Sequence, residues 1–185
     1  MRHLLLPLTL LTFLLTGSLL QADCIIPQGP PGPPPANYIG SYSETTQVLT
    51  APNVAENVVF PNNFAGPVGI TKSATNDSFT VLFDGVYLIS WTVNGESPIF
   101  IAPPNFLALT LKVDGTNVLP APISKTTFVG NATASLATFV DLSGQKLLSL
   151  KAGAVITLEV MGSFTPVTES LQIDSAMFNI TQVSN

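Results

Sequence analysis

From Phe79 onward the chain is a series of short β-rich runs closed by glycine turns, and no amphipathic helical pattern of any length fits between them. Phe79-Thr80-Val81-Leu82-Phe83 stops at Asp84-Gly85. Val86 to Val93 resumes and stops at Asn94-Gly95. In that second run Tyr87, Ile89, Trp91 and Val93 share one face at period two, while Val86, Leu88, Ser90 and Thr92 make a mixed opposite face. Phe106 to Val113 sets Leu107, Leu109, Leu111 and Val113 against Phe106, Ala108, Thr110 and Lys112. It closes on the tight turn Asp114-Gly115 leading into Thr116 to Leu119. Thr133 to Leu142 reads as a further strand, and Leu147 to Leu150 leads into the turn Lys151-Ala152-Gly153. Ala154 to Met161 places Val155, Thr157, Glu159 and Met161 opposite Ile156, Leu158 and Val160. In the last run, Leu171 to Val183, strict alternation puts Leu171, Ile173, Ser175, Met177, Asn179 and Thr181 opposite Gln172, Asp174, Ala176, Phe178, Ile180 and Gln182. About eight to ten such strands predict a β-sandwich or a barrel-like fold.

Charge then limits what such sheets can face. Only 9% of the residues are charged, against about 25% in an ordinary soluble domain. Two faces per sheet cannot both be solvated by so few ionic groups, so apolar surface must be buried in wide sheets, between subunits, or both. Without Arg2 the chain has five lysines against eleven carboxylates, a net −6. No basic cluster exists to drive nucleic-acid binding or to hold an anionic membrane surface.

The first residues carry a different signal. Met1-Arg2-His3 gives a short positive start, Leu4 to Leu20 is a Leu-rich apolar run, and a small residue stands at Ala22. This is the layout of a secretory signal peptide over residues 1–22, with a membrane anchor as the alternative, since the run nearly suffices to span a bilayer. Residues 23–37 form a linker whose second residue is Cys24, the one cysteine of the chain. In an exported protein it is a candidate for an interchain disulfide or for lipidation, although Gln21-Ala22-Asp23 fits acylation poorly. Three identical single cysteines cannot all pair within one trimer. Gln28 to Pro35 contains two Gly-Pro-Pro triplets. These make either a stiff polyproline II stalk or a truncated collagen stem, and both lead as an extended arm into a globular domain, residues 38–185.

The order of the runs resembles a known superfamily. An aromatic strand followed by Gly85-x-Tyr87-x-Ile89-x-Trp91 looks like the core hairpin of the complement and tumour-necrosis-factor jelly rolls. Leu109-x-Leu111-x-Val113-Asp114-Gly115 is similar to the next hairpin of that superfamily. Leu150-Lys151-Ala152-Gly153-Ala154-Val155-Ile156 resembles its leucine-lysine-any-glycine-acidic-apolar segment, with Ala154 where the acidic residue usually stands, and Leu171 to Ile180 resembles the closing strand. Among its members, the C-terminal heads of bacterial collagen-like surface (exosporium-type) glycoproteins also join a Gly-Pro-rich stem to a jelly roll. The resemblance implies an all-β, TNF-like jelly-roll β-sandwich assembled as a homotrimer. It further implies that Phe79, Tyr87, Ile89, Trp91 and Phe178 form much of the core and trimer interface. An ordinary single-chain core is the alternative for Tyr87, Trp91 and Phe178.

Chemistry-bearing constellations are scarce. No histidine follows His3, which removes His-based triads and zinc sites, and one cysteine cannot make a thiolate cage. Asp77, Asp84, Asp114 and Asp141 stand at turns or strand ends, where local backbone bonds are their ordinary use. Asn76-Asp77-Ser78, Asn131-Ala132-Thr133 and Asn179-Ile180-Thr181 fit the glycosylation pattern at the frequency chance allows, and Asn179 falls in a strand expected to be buried. The expectation is therefore a secreted or cell-surface structural or adhesion protein with no catalytic, cofactor or metal residues. Its partners would be copies of itself and a surface layer, a matrix, or a host protein or glycan. Nucleic acid is excluded, and a membrane enters only through a lipid on Cys24. A receptor- or glycan-binding module of the same fold is the alternative, with Ser97 to Asn105 and Ala121 to Asn131 as its loops, stiffened by Pro98, Pro103, Pro104, Pro120 and Pro122.

Overall fold

Every helix or strand among the described residues is a β-strand. The structure, a computed structural model, describes residues 37–97, 106–127, 138–164 and 171–185, which belong to one unit, Pro34–Asn185. The predicted signal peptide, Cys24, the Gly-Pro-Pro triplets, Asn131 and residues 98–105 of the first expected binding loop lie outside the described residues.

The strands are β1 (Tyr38–Ser43), β2 (Gln47–Val48), β3 (Ala55–Asn57), β4 (Asn62–Val68), β5 (Ile70–Lys72), β6 (Ser78–Val81) and β7 (Gly85–Ser97). They continue with β8 (Phe106–Val113), β9 (Thr116–Asn117), β10 (Ser124–Thr127), β11 (Thr138–Leu150), β12 (Val155–Gly162) and β13 (Gln172–Ser184). One sheet runs β11-β7-β13-β1-β4, with β2 on β13. The other runs β10-β8-β12-β6-β5, with β3 on β12 and β9 on β8. Neighbours are mostly distant in sequence, as in Greek-key sandwiches, and the pairings within each sheet are antiparallel.

Turn chemistry sets the register where the sequence predicts it. Asp114 (φ 50°) and Gly115 (φ 75°) both take left-handed conformations, which closes β8 on β9 with a two-residue hairpin and pairs Val113 with Thr116.

The core lies between the two sheets. Tyr87, Ile89 and Phe178 from the first meet Phe79, Leu111 and Ile156 from the second. Phe178 stands 5.3 Å from Phe60 and 5.1 Å from Phe79, centroid to centroid, so three aromatic rings join the layers. Tyr87 buries its ring and donates its hydroxyl to the Phe83 carbonyl at 2.8 Å. Trp91 packs under Gly144 of β11 and donates its Nε1–H to Ser124 Oγ, 3.3 Å away in the opposite sheet. Buried Gln182 ties the domain's two ends together. Its Nε2 donates to the carbonyls of Asp84 and Ser184 and to Asn185 Oδ1, and its Oε1 accepts from Asn37 Nδ2.

Phe79, Tyr87, Ile89, Trp91 and Phe178 are thus all interior to a single chain, each at most 5% exposed. Any surface offered to another copy is made by other residues. Three expectations are corrected. The run Phe79 to Phe83 ends as a strand at Val81, and Leu82 and Phe83 turn outward. Leu142 and Leu147 belong to one thirteen-residue strand rather than two. In β13 a register shift between Ile173 and Ser175 moves the buried face from Leu171 and Ile173 to Ala176, Phe178, Ile180 and Gln182, so strict alternation fails there.

Candidate self-association surface

The first sheet has an inner face in the core and an outer face whose composition the pairing registers spell out. Directly paired residues point the same way. One row crosses five strands as Val68, Tyr38, Thr181, Leu88 and Leu147. Val68 and Tyr38 are 37% exposed and Leu147 57%. The next row holds Gly40, Asn179, Ser90 and Gln145. The Phe64 ring lies across Gly40, where an added Cβ would meet its Cζ at 2.5 Å, and is itself 55% exposed. The third row holds Tyr42, Met177, Thr92 and Ser143, with the Tyr42 ring 6.2 Å from Phe64.

None of these side chains is a carboxylate, an amine or a guanidinium. Among the described residues of this face, carboxylates appear beyond the third row. Asp141 is paired with Asn94, Glu96 accepts from Gln172 at 2.9 Å, and Glu44 lines a shallow depression with Tyr42, Thr92, Asn94, Ser175 and Met177. The outer face of the other sheet is built differently, with Lys112 and Glu159 ion-paired across β8 and β12 at 2.6 Å.

Several of the other ionic groups among the described residues hold local structure. Asp84, at the turn before β7, accepts from Lys151 Nζ and from the Ala152 N–H, both at 2.8 Å. The Lys151 bond foremost holds the Asp84 carboxyl below its ordinary range and raises Lys151. Lys72 donates to the Phe60 carbonyl and to Asn63 Oδ1, and burial lowers its pKa. Asp77 accepts from Thr75, Ser73 and Asn57. The Thr75 bond leads in holding its carboxyl below the usual carboxylate value. Among the described residues no group of three or more His, Cys, Asp or Glu is placed to hold a metal ion, and no helix is long and apolar enough to cross a membrane.

No protein-family model and no curated protein matches the sequence. Solved structures do. The globular domain of zebrafish complement 1qA is similar at a TM-score of 0.53 and 17% identity, over 80% of this chain and 99% of that one. Eiger TNF from S. frugiperda is similar at a TM-score of 0.56 and 11% identity, over 82% of this chain and 95% of that one. The chain has the jelly-roll fold of the complement 1q and tumour-necrosis-factor heads. At these identities the likeness is one of fold alone.

Within that jelly roll, Tyr42, Phe64, Leu147 and Met177 are the surface residues that sequence reasoning did not single out. The signal was available for Leu147, which lies on the opposite side of its strand from Leu142; Met177 was hidden by the register shift, since strict alternation puts it on the side of buried Leu171 and Ile173. Tyr42 and Phe64 carried no such signal, because β1 and β4 are not periodic enough to be read. Asn179, expected to be buried, is only partly buried on this face.

Proposed function

We propose that the chain is an exported head-and-stem protein. Its jelly-roll head assembles as a homotrimer through the outer face of the six-stranded sheet and serves a structural or adhesive role outside the cell. The observation that carries this reading is the uncharged, aromatic-bearing face formed by Val68, Tyr38, Phe64, Tyr42, Met177, Leu88 and Leu147. Surface of this kind marks an interaction site on a soluble protein, and closed rings of identical copies are a usual way to cover it. The likeness to complement and tumour-necrosis-factor heads supports the same reading. So do the Gly-Pro-Pro triplets before the head, an order resembling bacterial collagen-like surface glycoproteins. We read the head as binding or building rather than catalysing, since a chain with no histidine after His3 and one cysteine lacks the usual acid–base and nucleophilic sets.

Mass spectrometry of the protein isolated from its own cells, paired with sedimentation equilibrium at micromolar concentration, tests this. The expected result is a chain beginning near Asp23 with a mass of three copies. A chain retaining Met1 and sedimenting as a monomer would overturn it.

A further inference from the structure

In the row between the two apolar belts of the outer face, Gly40 lies under the Phe64 ring, and the positions on β13, β7 and β11 carry neutral hydrogen-bonding groups. Asn179, Ser90 and Gln145 stand side by side on β13, β7 and β11. Among the described residues their side chains have no hydrogen-bond partner. In the free head water satisfies them. Buried against an apolar surface, each would lose that water with nothing in return, so an apolar partner at this height would bind poorly. The occupant has to present amides or hydroxyls at the same level, between its own apolar belts.

A second copy of this chain meets that demand. The described part of each copy begins at Asn37, which is bonded to Gln182 at the end of the sheet next to the Tyr38–Leu88–Leu147 row. Every copy is therefore entered by its preceding chain at that same end of the sheet. With a symmetry axis along the strands, rotation leaves heights unchanged. Row therefore meets row, with apolar belt on apolar belt and amide on amide. Resting on the self-association reading above, we propose that Asn179 and Gln145 form a belt of side-chain hydrogen bonds between copies that fixes the register of the assembly. A polar group that can be satisfied only in one alignment is a known device for choosing register and copy number at some cost in affinity.

The test uses Asn179→Asp, which keeps the shape and adds a charge. The groups nearest this row are the hydroxyls of Tyr38 and Tyr42 on β1 and of Thr181 and Thr92, and the closest carboxylates are Glu44 and Asp141 beyond the third row. The variant carboxylate is ionised at neutral pH and protonated below about pH 4. Sedimentation velocity against pH, beside the parent protein, should show association weakened by at least about tenfold at neutral pH. That loss should be recovered in acid more than any change in the parent. Gln145→Glu, on an edge strand, should behave the same way, which guards against a folding defect in one variant. Variants that associate like the parent at neutral pH would overturn the register belt while leaving self-association standing. A monomeric parent would overturn both.

Discussion

A Cβ added to Gly144 would stand 2.5 Å from Cζ2 of Trp91. The two residues face each other in the β11–β7 register. The indole therefore lies directly under the edge strand and reaches across the core edge to Ser124. Space, not backbone conformation, demands glycine here. Gly144→Ala should cost about 1–3 kcal/mol by overpacking, read as a lower urea midpoint with an unchanged slope and an altered tryptophan emission. Parental stability in that variant would show the indole free to move aside.

Phe178 sits at the meeting point of three rings and is fully buried. Phe178→Ala should cost about 3–5 kcal/mol. Phe83→Ala, at a side chain 54% exposed, should stay within about 0.5 kcal/mol of the parent. Thermal unfolding of both variants checks the contrast, and equal losses would contradict the placement of the core.

Asp77 connects stability to pH. Its folded-state carboxyl is held low, first by Thr75. Its contribution is therefore present above the unfolded value of about 3.9 and is lost as pH falls through the folded value. Asp77→Asn should flatten the decline in unfolding free energy below about pH 4. An acid limb identical to that of the parent would show that other carboxylates set it.

The legible part of the fold was the part with strong period-two contrast. Tyr87, Ile89, Trp91 and Val93 point inward as their spacing says, and so do Ile156, Leu158 and Val160. The sandwich class and its hairpin turns follow from the same signal. Three features escaped it for physical reasons. Gly144 looks like a strand breaker in sequence, whereas the bulk of Trp91 explains it and β11 runs through. The bulge in β13 inverts a face without any residue announcing it. β4, with Asn62, Asn63, Gly66 and Pro67, carries the composition of a loop, and only its place at a sheet edge makes a proline tolerable there. The candidate surface was half legible. The shortage of charge implied that a face must be covered; Phe79, Tyr87, Ile89, Trp91 and Phe178, read as core and interface together, are interior to the single chain, and the face proposed to self-associate is made by outward residues beside them.

The account rests on the outer face of the six-stranded sheet meeting sister copies. Leu147→Glu places a charge in the apolar row, and Val155→Glu, on the other sheet at 36% exposure, serves as its control. Sedimentation velocity of parent and both variants at micromolar concentration measures the claim directly. The predicted result is a trimer for the parent and for Val155→Glu, and a folded monomer for Leu147→Glu. A trimer that survives Leu147→Glu and dissociates with Val155→Glu would place the interface on the opposite sheet and contradict the account.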